Sequence, residues 1–127
     1  MKRLWISCLI ILLLAGLAAL HLSHLESLTD ELIEQLEHVE LRLKYSDWSG
    51  AKKIVDQVYE QWEDQAFYLH TMLRHTEIDA IRSSLREAMA YLDSREDTAE
   101  CLAVTARLIN QIELLLEAEL PTIKNLL

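Results

Sequence analysis

Two hydrophobic patterns meet end to end near residue 22. Residues 4–20 read LWISCLIILLLAGLAAL, with no charge and no polar face, and the run fades through His21 and Leu22. At the rise of a helix these nineteen positions span about 28 Å, close to the ~30 Å hydrocarbon core of a bilayer. Beyond them Leu22, Leu25, Leu28, Leu32, Leu36, Val39 and Leu43 recur at steps of three and four. That spacing lays one apolar stripe on an otherwise polar helix. No glycine or proline separates the two patterns, so one helix is expected to run from the apolar segment out to about Lys44.

Tyr45-Ser46-Asp47-Trp48-Ser49-Gly50 interrupts the period. Asp47 or Ser46 can cap a new helix, because a short side-chain oxygen accepts an orphan backbone N–H. The next stripe is Trp48, Ala51, Val55, Val58, Trp62, Ala66, Leu69 and Leu73, after which a step of five to Ile78 shifts the phase. Ile78, Ile81, Leu85, Ala88 and Leu92 then run in register. A straight helix cannot keep both stripes on one face. A break is expected near Arg74–Glu77, with Thr76 and Asp79 as a capping-box-like start; a kink near Glu63–Gln65 is the alternative. Asp93-Ser94-Arg95 is the next turn. Leu102, Thr105, Ile109, Ile112 and Leu116 mark a last helix, with Pro121 just past its end.

The expected fold is all-α: an N-terminal transmembrane helix continuing into an antiparallel bundle of three or four helices. Two glycines and one proline in 127 residues agree, since hairpins and long loops lack their usual punctuation.

Charge adds orientation. All 21 acidic residues lie at or after Glu26, and two of the 12 basic ones, Lys2 and Arg3, precede the apolar run. Residues 23–127 therefore carry 10 − 21 = −11. Such a field repels phosphate backbones, so nucleic acid is not expected as a partner. The next base after Arg3 is Arg42, so the positive-inside rule places residues 1–3 in the cytoplasm, 4–22 across the cell membrane and 23–127 outside as an acidic helical domain. Gly16-Leu17-Ala18 offers small residues for signal-peptide cleavage, but the run exceeds the usual h-region of about 7–15 residues, which favours a retained anchor.

Three stretches resemble one known family. They are Trp48 with Trp62; His75-x-Glu77-Ile78-Asp79-x-Ile81 with Ser84-Leu85; and the tail Glu119-x-Pro121-x-x-Lys124-Asn125-Leu126-Leu127. The family they resemble comprises small membrane-anchored helical proteins of unknown function from spore-forming Gram-positive bacteria. The resemblance implies helical structure and membrane attachment. It implies no activity, and it points to sporulation only through where the family occurs.

Candidate chemistry is sparse. Of five histidines, His75 shares a helix face with Asp79 at i,i+4, a weak metal pair that lacks the four ligands of a closed site. A structural His75 at a helix junction is the preferred reading, and neither metal nor cofactor is expected. Ser83 and Ser84 lie near Asp79 and Glu87 without the elbow or base that nucleophilic catalysis requires, so no enzyme is expected. Trp48 and Trp62 stand two heptads apart on one stripe, suited first to core packing and second to anchoring a partner. With Pro121 and Asn125 they complete the structural or partner-binding candidates. Cys101 reads as a small buried residue, with pairing between two chains as the alternative. The leading expectation is a non-catalytic membrane-tethered interaction module whose partner is another membrane or envelope protein. An extracytoplasmic metal- or small-ligand-binding domain is the alternative.

Overall fold

In the computed structural model the chain forms five helices: α1 (Lys2–Lys44), α2 (Trp48–Asp64), α3 (Ala66–Met72), α4 (His75–Ser94) and α5 (Thr98–Leu126). The structure describes every residue but Arg74, Glu96 and Leu127, and every other side chain but those of Met72 and residues 119–126. No strand occurs among the described residues.

The outer half of α1, α2, α4 and α5 form a four-helix ring in which α1 packs on α2 and α5, and α4 packs on the same two. Each neighbour is antiparallel. The seams follow heptad-like steps. On α1 the buried positions are Leu25, Thr29, Leu32, Leu36, Val39 and Leu43; on α2, Ala51, Val55, Val58 and Trp62; on α4, Ile78, Ile81, Leu85, Ala88 and Leu92, with Ser84 buried beside Leu85. Alternating steps of three and four keep one narrow face turned inward, as in coiled-coil packing. Leu28 stands beside the seam, and Thr29 takes its place there. The Thr29 hydroxyl can be buried because it donates to the Glu26 carbonyl at 3.0 Å.

A tight hairpin joins α1 to α2. Ser46 adopts φ 58°, the left-handed conformation that ends a helix. Its N–H reaches the Leu43 carbonyl at 3.0 Å, and the Asp47 N–H reaches that of Arg42 at 2.8 Å. Together these are the paired bonds of a Schellman motif. Asp47 then caps α2 by accepting from the Gly50 N–H at 3.0 Å. A Cβ on Gly50 would collide with that carboxylate, so the glycine leaves room for the cap. The α4–α5 turn uses the same devices: Arg95 has φ 53°, and Asp97 accepts from the Ala99 N–H at 2.9 Å.

Three expectations change. Breaks at residues 63–65 and 74–77 are not alternatives, because the chain bends at Gln65 and turns sharply at Leu73, where φ −122° and ψ 172° are extended. Two breaks are needed because α3 must turn Leu69 and Leu73 into the core before α4 restarts in its own phase. Helix α4 begins at His75, so Thr76 lies inside the first turn instead of capping it. The inward face of α5 is Cys101, Val104, Thr105, Leu108, Ile112 and Leu115, while Leu102, Ile109 and Leu116 are only partly buried. The apolar arc of α5 is wide because it meets both α1 and α4, and the centre of a wide arc is poorly marked by period alone.

Pro121 is also not past the helix, since α5 runs on to Leu126. A proline there removes the bond to the residue 117 carbonyl. The apolar period nevertheless continues through Leu116, Leu120 and Ile123. The side chains of Pro121 and Asn125 lie outside the described residues.

Trp62 is 1% exposed in the middle of the core, whereas Trp48 is half-buried at its edge. Trp62→Ala in the detergent-solubilised full chain is expected to lose about 3–5 kcal/mol in chemical denaturation, and Trp48→Ala clearly less. Equal losses at the two positions would contradict this placement of the core.

Candidate functional site

The polar chemistry gathers at the end of the bundle where α1 leaves its apolar run. The chain has to turn there between α2 and α4, and α3 fills the gap. Tyr68 on α3 reaches across to α1, where its hydroxyl hydrogen-bonds His21 Nδ1. The His24 ring stands edge-on to Tyr68 with centroids 4.9 Å apart. His24 Nε2 also lies 3.1 Å from Gln65 Oε1, and the amide oxygen can only accept, so this nitrogen donates. These contacts tie the first turns of α1 outside the apolar run to the α2–α3 bend.

His75 opens α4, and the structure gives it a partner that the sequence reading had not paired with it. His70 Nδ1 lies 2.8 Å from His75 Nδ1, with the rings stacked at 28° and centroids 5.0 Å apart. One ring must donate and the other accept across that distance, so the pair shares one proton. Asp79 faces His70 and not His75, at 3.9 Å from Nε2, beyond hydrogen-bond length. The pair brackets the extended residue Leu73 and so clasps α3 to α4. The five-residue gap between the two histidines carried no helical signal, because the break at Leu73 is what brings them together. Among the described residues, no three His, Cys, Asp or Glu side chains converge as metal ligands.

Glu63 and Arg82 form the strongest polar contact at this end. Arg82 donates from Nε to Oε1 at 2.6 Å and from Nη2 to Oε2 at 2.5 Å. This paired geometry fixes both groups as well as joining them. The Arg82 hydrogen bond holds the Glu63 carboxyl below the usual carboxylate range, opposed by partial desolvation and helped by the Arg82 charge.

Elsewhere a wide hollow of about 380 Å³ lies on the acidic outer face of α1, lined by Glu34, Glu37, His38 and Leu41. A cleft between α4 and α5, lined by Glu77, Ala80, Ile81, Gln111, Leu114 and Leu115, has a volume of about 140 Å³. Sites for small molecules are commonly about 300–1,000 Å³. Ser84 is buried and Ser83 exposed, so the two do not share an environment. Cys101 is buried, and burial pushes its thiol up, with the acids Asp97 and Glu100 adding to the effect. A buried thiol held protonated is a poor nucleophile and cannot reach a second chain. Trp62, being buried, offers nothing to a partner, whereas Trp48 keeps an accessible edge.

The Glu63–Arg82 clamp makes a pH prediction. A carboxyl held low in the folded state stabilises the fold above its unfolded pKa, and that contribution is lost as pH falls through the folded value. Glu63→Gln should therefore lower the thermal midpoint of the full chain near neutral pH. The gap to wild type should close in acid, once carboxylates protonate below about pH 4. A gap that persists undiminished in acid would show that the clamp acts through packing and not through charge.

No curated protein and no solved structure matches the chain. A family model does match it, over residues 19–126, from the last turn of the apolar run to the penultimate residue. The chain belongs to the family of the domain of unknown function DUF4363.

Proposed function

We propose that this protein is a non-catalytic, single-pass, membrane-tethered module that presents an acidic helical face to a basic partner just outside the cell membrane. The observation that carries the reading is the division of α1. Its first half is long and apolar enough to cross a membrane, and a leading signal sequence would pass the same test. Its second half buries Leu25, Leu32, Leu36, Val39 and Leu43 completely or nearly so. Glu26, Asp30, Glu31, Glu34 and Glu37 remain exposed. A covered stripe leaves no apolar seam for pairing in the membrane plane, so recognition falls to the acids. Two copies side by side would set these acids against each other, which disfavours a parallel homodimer. A membrane or envelope protein with bases near the bilayer surface fits best, and tethering lets weak contacts suffice. Lys2 and Arg3 favour a cytoplasmic N-terminus. The resemblance to proteins of spore-forming bacteria makes sporulation the process in which to look for the partner.

Single cysteines at Glu31 and Glu34 in native membranes should crosslink to a different protein, and the adduct should fade as salt rises. Exposed charges are screened over about 10 Å at 0.1 M salt. Homodimer bands that ignore salt would overturn the reading. In the same cells, alkaline phosphatase fused after Leu127 should be active; a silent fusion beside an active cytoplasmic reporter would reverse the orientation.

Ligand binding is a second reading, favoured by the His70–His75 pair alone. Two imidazole nitrogens 2.8 Å apart can turn toward one cation, with water completing the shell. Zinc titrated into the purified full chain should give no stoichiometric binding if the pair is a structural clasp, and His75→Ala should lower the melting temperature. Stoichiometric zinc binding lost in both His70→Ala and His75→Ala would establish the second reading instead.

A further inference from the structure

Phe67 is 86% exposed, more than any other large apolar side chain of the bundle among the described residues. It has been left outside a core that had room for Leu69 and Leu73 on the same short segment. Its position explains why. The adjacent residue, Tyr68, bonds His21, and His21 directly follows Leu20, the last residue of the apolar run. Phe67 therefore lies one residue from a contact with the point where α1 passes from apolar to amphipathic.

Helix α5 reaches the same level independently. Arg107 pairs with Glu87 across the antiparallel α4–α5 seam. Twelve residues back along α4 and twelve on along α5 set residue 119 level with His75, where α4 starts. Helix α5 continues to Leu126, about 10 Å further. This extension has the sequence Leu120-Pro121-Thr122-Ile123-Lys124-Asn125-Leu126, four apolar residues and three polar ones with a single base and no acid, on a domain that is otherwise strongly acidic. Within residues 1–20 of α1 only Ala15 and Ala18 are partly buried, at i,i+3 on one face.

We infer that this end of the bundle seats on the lipid surface: Phe67 of α3 enters the headgroup–acyl boundary of the bilayer that α1 crosses. The inference rests on the tethered reading above and extends it from an anchor to a docked domain. An aromatic ring fits that boundary, and elements lying in it bury their apolar face about 5–10 Å deep. Apolar insertion, not charge, drives the contact, because an acidic domain gains nothing from anionic headgroups. The docked end fixes the height and tilt of the bundle, so the acidic face of α1 is held at a set distance from the membrane.

The test uses the full chain in phosphatidylcholine vesicles that contain nitroxide-labelled lipids. Cys8 is exposed on α1 and Cys101 is buried, so native Cys8 takes a fluorophore that reports the anchor. In a Cys8→Ala background, Thr71→Cys carries the fluorophore on the exposed side of α3, and Tyr45→Cys carries it at the far turn. The label at 71 should be blue-shifted and quenched several-fold more by shallow nitroxides than the label at 45, with no change in high salt. Phe67→Asp should bring quenching at 71 down to the level at 45 while leaving the helical circular dichroism unchanged. Deep quenching at Cys8 with equal, weak quenching at 71 and 45 would overturn docking and leave the anchor standing. No quenching at Cys8 would overturn the tethered reading itself.

Discussion

The structure depends on one helix that carries two hydrophobic patterns end to end. Helix α1 is apolar on every side up to residue 22 and apolar on one side only from there to Lys44. A helix uniformly apolar in water would have to be buried all round, and a one-sided helix in lipid would strand its acids. The change of pattern at residue 22 is therefore the constraint from which the rest follows. Past it, the Leu25–Leu43 seam demands cover, and α2 and α5 supply it from two sides. Helix α4 closes the ring by packing on α2 and α5.

The polar contacts collect at the end of the bundle nearest that change. His21 and His24 meet Tyr68 and Gln65, His70 meets His75, and Glu63 meets Arg82. The far end is closed by local backbone devices, a Schellman motif and two aspartate caps, together with the contacts of Lys52 with Asp93 and of Arg95 with Ser49. The near end has no such local solution, because α2 must cross to α4 through a bend and an extended residue. Side chains from four helices brace that crossing. A domain stiffened at its base can hold an acidic surface steady over a membrane, which is what a tethered recognition surface requires.

The proposed role rests on the acids of α1. The acids of α1 are exposed because the opposite face is spent on the core. The same division that makes the helix fold makes its outward face charged.

Helix content, the continuous first helix, a helix cap at Ser46 or Asp47 and the composition of the core were determined by sequence alone, because period and capping are local properties that a few neighbouring residues express. Trp62 in the core belongs to the same class, as it sits on an uninterrupted stripe. What only the tertiary structure decided was anything set by two helices at once. The inward face of α5 is centred one position away from the stripe Leu102–Leu116, since α1 and α4 both compete for it. Leu73 is extended because α3 and α4 must each satisfy a different phase of the core. That break brings His70 to His75 and turns Asp79 toward His70, a pairing invisible at a spacing of five. Phe67 reads in sequence as one more apolar residue near a stripe; only the contact of Tyr68 with His21 places it beside the end of the apolar run.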